Sequence, residues 1–301
     1  ISAASGLSPQ LAISSWCARV HGLPCIQVIG GTNPRAATHH SSTAIAAMLG
    51  AEFDIIRIGY NPQLQRRAWE IQQELPQWYT VEYGIGVDDT IASPATVAAF
   101  HEGGAEQVQN IPKDVDTLLV PFGSGNSAAS VLYGLALYPP PALRRIVLFA
   151  IGPDRLQWLY RRLDILGAAT GRNITGHYRY PAPAGAQTFF QWAEAAHPQW
   201  EVIVHNLHGS GYARYGDKMP YQVGSAAMHP TYEGKCWQYM QDHPQLWDDY
   251  LCRSTALFWV VGAELDARLA ASVLEQPLPQ EVSLWQGKPV HSSAASRSGR
   301  G

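Results

Sequence analysis

Short apolar runs alternate along the chain with stretches whose apolar residues recur every three or four positions. The run Cys25-Ile26-Gln27-Val28-Ile29 closes on Gly30-Gly31 and predicts a strand and its turn. Helical spacing follows over 36–49, stopped by Gly50. Residues 53–58 read as a second strand and 62–75 as a helix, with Asn61 as cap and proline in the first turn. A helix over 94–108, a strand over 117–120, a glycine-rich turn and a helix over 127–138 come next. Strand 146–151 and helix 154–166 repeat the pattern. Beyond them, 171–185 reads as a long loop, 202–204 and 256–261 as strands, and 223–228, 235–246 and 266–274 as helical. Such alternation predicts an α/β protein with mostly parallel sheets covered on both faces.

Composition narrows the class. Of 301 residues, 46% are hydrophobic and 15% charged, which excludes disorder as the main state. Net charge is −3 and the basic residues are scattered, so no nucleic-acid footprint is visible. The apolar run over 256–261 is far short of the roughly 20 residues that span a bilayer, so no membrane partner is expected. Cys17, Cys25, Cys236 and Cys252 form no CxxC pair and read as reduced thiols of a cytoplasmic protein. No metal site is expected: His39 and His40 are adjacent on the predicted helix and point about 100° apart.

The sharpest local signal is Val120-Pro121-Phe122-Gly123-Ser124-Gly125-Asn126-Ser127-Ala128, between a strand and a helix. Glycines allow a tight turn and a close backbone approach, and the helix N-terminus adds N–H donors and the positive dipole end. This is a phosphate cradle in outline, with Ser124 and Ser127 as hydroxyl donors. A dinucleotide fits, since Gly123, Gly125 and Ala128 satisfy G-x-G-x-x-A, with Asp154 as its acidic partner. A single phosphate ester such as pyridoxal phosphate fits too, and so does a tight turn with no ligand.

About a hundred residues later stands His229-Pro230-Thr231-Tyr232-Glu233-Gly234-Lys235. In this order, GSGNSAAS and HPTYEGK resemble the fold-type-II pyridoxal-phosphate enzymes, nearest the branch of 1-aminocyclopropane-1-carboxylate deaminase and D-cysteine desulfhydrase. The opening Ser5-Gly6-Leu7-Ser8-Pro9-Gln10, a small-residue helix and His21-Gly22-Leu23-Pro24-Cys25 are similar to that family as well. The resemblance implies a tryptophan-synthase-β-like fold of two three-layer α/β/α domains. The expected division is a small domain over 1–100, a larger one over 101–290 and a loose tail over 291–301, with breaker-rich stretches at 83–89 and 103–113 as candidate junctions.

The resemblance also implies roles. The cofactor is pyridoxal 5′-phosphate, its phosphate held by Gly123, Ser124, Gly125, Asn126 and Ser127. Tyr232 and Glu233 lie beside the pyridine ring, and a carboxylate there keeps the ring nitrogen protonated. Tyr215 faces the substrate, and Ser8 with Gln10 meets its carboxylate or a cofactor oxygen. Without the resemblance, Glu233 reads as a helix N-terminal carboxylate and Tyr215 and Tyr212 as loop aromatics. The implied activity is elimination or deamination of a small amino acid by a homodimeric lyase or deaminase. The family's Schiff-base lysine precedes the Ser8 loop, whereas Lys113, Lys218, Lys235 and Lys288 all follow it. The chain is therefore expected to be truncated at its N-terminus and inactive alone. A non-catalytic protein that keeps the fold, and a dinucleotide-dependent oxidoreductase using 123–128, remain as alternatives.

Overall fold

The structure, a computed structural model, describes residues 1–84, 86–87, 92–171, 177–179, 187–191, 200–214, 216–223, 226–261 and 266–287. The tail over 291–301 lies outside them. The chain divides into two compact units, one of residues 1–86 with 265–301 and one of residues 87–264.

The first unit opens with β1 (Ser2–Ala3), α1 (Pro9–Val20) and β2 (Ile26–Gly30). Helices α2 (Pro34–Ala37) and α3 (Ser41–Met48), strand β3 (Glu52–Ile56) and helix α4 (Asn61–Glu74) follow. The sheet is parallel, in the order β1-β2-β3. Its two faces are buried separately: Ile26 and Val28 pack with Leu64, Ala68 and Ile71 of α4, while Ile29 and Phe53 pack with Leu11 and Ala46. The single helix expected over 36–49 is two helices. Thr38 closes α2 by donating its hydroxyl to the Arg35 carbonyl at 2.8 Å, and His40 caps α3. His39 and His40 therefore stand in the break; side chains that bond to nearby backbone compete with helix continuation there. Tyr60, not Asn61, occupies the cap of α4, and the Asn61 amide donates to the Tyr83 hydroxyl at 3.1 Å.

The second unit contains α5 (Pro94–Glu106), β4 (Thr117–Phe122), α6 (Asn126–Leu137), β5 (Arg145–Ala150) and α7 (Leu156–Thr170). It continues through β6 (His177–Arg179), β7 (Gln187–Gln191), β8 (Glu201–Asn206), β9 (Tyr221–Val223), β10 (Ala226–Met228), α8 (Glu233–Asp242), α9 (Pro244–Trp247) and β11 (Ala256–Phe258). The main sheet runs β11-β4-β5-β8-β7-β6, its first four strands parallel, β7 antiparallel to β8 and β6 antiparallel to β7. Leu118, Val120, Ile146, Leu148, Val202 and Val204 face α5, α6 and α7; Leu119, Val147, Phe149 and Ile203 face α8 and α9. Burial on both faces is why these strands read as continuous apolar runs.

Two expectations fail here. Residues 177–179, assigned to a loop, form β6, paired antiparallel with β7. Of the stretch expected to be helical over 223–228, Val223 ends β9 and Ala226–Met228 form β10, paired antiparallel with it. Both misreadings concern three-residue strands, too short for periodicity to decide. The helix expected over 235–246 breaks at His243-Pro244, where proline removes a helical donor.

Last comes α10 (Ala267–Val273), capped by Asp266, whose carboxylate accepts from Arg268 N at 2.8 Å and Leu269 N at 3.2 Å. Its Ala271 is buried with Ile45 and Met48 of α3, returning the chain to the first unit. The α/β class and the mostly parallel sheets are those the sequence implies. Among the described residues, no helix is long and apolar enough to cross a membrane.

Candidate functional site

Strand β4 delivers the chain into Gly123-Ser124-Gly125 at its carboxyl end, and α6 leaves from Asn126. Ligands of open α/β sheets bind at such strand ends. Gly125 caps α6 with φ 100°, in the left-handed region that favours glycine, and its carbonyl accepts from Ala129 N at 2.8 Å. The first-turn N–H groups of a helix have no acceptor within it, so the turn presents donors and the positive end of the helix dipole. Gly125 is buried, while Ser124 and Ser127 are exposed.

The second segment reaches the same place. His229 is buried; its carbonyl accepts from Tyr232 N at 3.1 Å and Gly234 N at 3.0 Å, and its Nδ1 accepts from Thr231 N at 3.2 Å. The His229 ring lies 4.7 Å from the Tyr232 ring. Tyr232 is thereby set against the glycine turn: a Cβ built on Gly123 would lie 3.3 Å from its Cε1. Glu233 begins α8 with no exposed surface, and its Oε1 accepts from Val261 N at 2.8 Å. Val261 follows β11, whose Phe258 pairs with Leu119 of β4. The carboxylate is thus pinned beside the strand that carries the turn.

The structure therefore brings Gly123, Gly125, Asn126, Tyr232 and Glu233 into one region of the second unit. Tyr215 lies outside the described residues. Ser8 belongs to the first unit, where its Oγ caps α1 by accepting from Gln10 N at 3.3 Å. Gln10 is buried there, donating to Ser2 Oγ at 3.0 Å and accepting from Gly84 N at 2.8 Å. Asp154, required by a dinucleotide site, accepts from Leu156 N, the first residue of α7, at 2.9 Å.

Among the described lysines, Lys113 and Lys218 are exposed and Lys235 is buried, with Nζ donating to the Arg214 carbonyl at 2.7 Å. Burial lowers the Lys235 pKa, opposed by the charge of Asp217. Burial, then the negative charge of Glu233, pushes the Cys236 thiol up, so this neighbour stays neutral.

The residues fit a phosphorylated pyridine cofactor. The turn is bare where a Cβ on Gly123 would crowd Tyr232, the start of α6 presents N–H donors that suit an anion, the Tyr232 ring stands against the turn and the buried Glu233 carboxylate follows Tyr232 in the chain. Sequence reasoning missed three features around this site. Val261 N orients Glu233, His229 props Tyr232, and Trp158 with Arg162 packs behind Gly125. Only His229 had a signal, its place in the same heptapeptide as Tyr232; the others come from distant elements.

No family model matches the chain. It is 34% identical to an O-seryl-dTMP PLP-dependent decarboxylase of Salmonella phage ViI, over 309 aligned positions covering 94% of this chain and 72% of that protein. Among solved structures, apo diaminopropionate ammonia lyase of Escherichia coli is 14% identical, with a TM-score of 0.47 over 91% of this chain and 68% of that one. An L-serine ammonia-lyase of the fungus Rhizomucor miehei is 11% identical, with a TM-score of 0.46 over 93% and 82%.

Proposed function

The chain belongs to the pyridoxal-phosphate-dependent enzymes that include the phage O-seryl-dTMP decarboxylase, and from that membership we propose that it decarboxylates an amino acid carried on a deoxynucleotide, of the O-seryl-dTMP class. The observation that carries the cofactor reading is the seating of Tyr232 on Gly123 beside the buried carboxylate of Glu233. The relative's substrate supports the choice of reaction and of substrate.

Bound pyridoxal phosphate would supply an electron sink for the bond broken at the amino acid's Cα. The chain's own groups do the rest. Backbone N–H groups of residues 123–127 hold the phosphate, with the hydroxyls of Ser124 and Ser127 as further donors. Tyr232 walls the cofactor's place against the turn. Glu233 holds a proton at the ring nitrogen by opposite-charge stabilisation, and the Val261 amide keeps its carboxylate aimed. Decarboxylation releases the amino acid's carboxylate as CO2, returns a proton to Cα and leaves a primary amine.

Elimination or deamination of a small free amino acid is the second reading, favoured by the glutamate at 233 in the Tyr-Glu-Gly-Lys segment. The full-length protein with pyridoxal phosphate separates the two. Incubated with O-seryl-dTMP, it should release CO2 and leave the nucleotide-linked amine. Ammonia and a keto acid from free serine, with no CO2, would favour the second reading and overturn the first.

Glu233→Gln keeps an oxygen for the Val261 amide but removes the charge. It should bind the cofactor as the parent does and turn over about 100-fold more slowly, in the range of losses from one preorganised electrostatic group. Turnover within threefold of the parent in a single-turnover assay would remove Glu233 from the chemistry.

A further inference from the structure

We propose that half-buried Trp158, clamped by buried Arg162, and half-buried Ser130, clamped by buried His101, form a backing that fixes the anion-binding turn, so that these four side chains position the cofactor's phosphate without touching it. The inference rests on the cofactor reading above and adds side chains to which that reading gives no role.

The first support is steric. A Cβ on Gly125 would lie 2.5 Å from Trp158 Cζ3 and 2.7 Å from Cε3, so the indole stands where a side chain at 125 would be. Arg162 is one helical turn further along α7, on the same face. It is 2% exposed, with Cζ 4.8 Å from the Trp158 ring and Nη2 donating to the Val87 carbonyl at 2.9 Å. A guanidinium stacked on an indole and tied to a backbone carbonyl keeps the ring from tilting away from Gly125.

The second support is a hydrogen-bonded relay to the first residue of the helix that leaves the turn. Ser130 Oγ donates to the carbonyl of Asn126, the first residue of α6, at 3.2 Å. His101 Nδ1 lies 2.8 Å from the same Oγ. The hydroxyl has one proton and spends it on Asn126, so it accepts from Nδ1–H, which sets the neutral tautomer. Burial, then the charge of Arg162, holds the His101 pKa down to about 3, so the ring stays neutral in the working range. Arg162 thus lies near both supports.

A Gly-Ser-Gly turn is among the most freely rotating segments a chain can offer, and its amides grip an anion only when aimed. A turn fixed in advance gains affinity by avoiding the ordering cost on binding. The benefit falls on the phosphate, because both supports act on the turn and the first residue of α6.

The test is equilibrium dialysis of the full-length protein against pyridoxal 5′-phosphate and against pyridoxal, with folding checked by circular dichroism. Trp158→Leu and Arg162→Met should weaken binding of the phosphorylated form about tenfold and leave pyridoxal within twofold. Trp158→Phe, which restores a flat ring, should recover most of the loss. Ser130→Ala, which removes one hydroxyl, should shift the same ligand about threefold and carries the test if the leucine variant does not fold. Equal losses for both ligands would reduce these residues to general stability and overturn the inference, as would no loss. No binding of pyridoxal phosphate by the parent would overturn the cofactor reading and this inference together. Parent binding with unchanged variants overturns only the inference.

Discussion

Replacing Gly125 by alanine should cost the protein its cofactor, weakening pyridoxal phosphate binding by about 30-fold or more. Two penalties meet at this one position. The residue sits at φ 100°, and a left-handed backbone costs an L-residue about 1–2 kcal/mol. The added methyl would also lie 2.5 Å from the Trp158 ring, a flat, clamped group, and overpacking of this kind costs about 1–3 kcal/mol. The chain relieves both by moving the turn, which swings the amides of α6 off the phosphate. The two together amount to roughly 2–5 kcal/mol, a factor of about 30 to several thousand in affinity. Gly171 provides the control. It has φ 66° at the end of α7 with no atom within 4 Å of a built Cβ, so Gly171→Ala should leave cofactor affinity within twofold. Parent-like affinity in the Gly125 variant, measured by the same dialysis, would show that the turn does not hold the ligand.

The second large effect is on stability in acid. Burial, then the charge of Arg162, holds His101 down to about 3, and burial, then His243, holds His205 down to about 4. Both are neutral when folded, His205 with Nε2 2.9 Å from the Tyr250 hydroxyl. In the unfolded chain each titrates near 6.5. Above that pH neither state binds the protons and the histidines contribute nothing to pH dependence. Below it the unfolded chain binds protons that the folded chain refuses, so stability falls as pH drops from about 6.5 to the folded pKa values. Each histidine contributes a slope of about 1.4 kcal/mol per pH unit, roughly 3 kcal/mol per unit for the pair between pH 6 and 4. The loss across that window is roughly 6 kcal/mol, against a typical total of about 5–15 kcal/mol, so the second unit should lose a large fraction of its stability there. Urea titrations at half-unit pH steps give the slope. His205→Gln should flatten it by about 1.4 kcal/mol per unit, and an unchanged slope in that variant would refute the assignment.

Much of this molecule was legible because its central strands are buried on both faces. Leu118 to Val120 and Ile146 to Ala150 could only be read as apolar runs, and α6 between them is apolar and buried over most of its length. The glycine turn was legible for the same local reason: Gly123, Gly125 and the helix start are contiguous in sequence. Tyr232 and Glu233 stand together in one motif, and the structure sets Tyr232 against that turn. What could not be read is what crosses from one element to another. Val261 meets Glu233 because β11 pairs with β4, a register fixed by tertiary contacts rather than by its own three residues. Trp158 looked like any amphipathic helix residue until α7 was seen behind the turn. The short strands β6, β9 and β10 hold too few residues for a period to emerge. The break at Thr38–His40 lies where side chains satisfy the backbone locally, which a count of apolar spacings does not register.

The account turns on where the cofactor's phosphate sits, and a crystal structure of the full-length protein with pyridoxal 5′-phosphate tests that most directly. The expected result is phosphate oxygens about 3 Å from the amide nitrogens of residues 124–127, with the ring against Tyr232 and its nitrogen facing the Glu233 carboxylate. Phosphate bound away from that turn, or a ring nitrogen remote from Glu233, would contradict it.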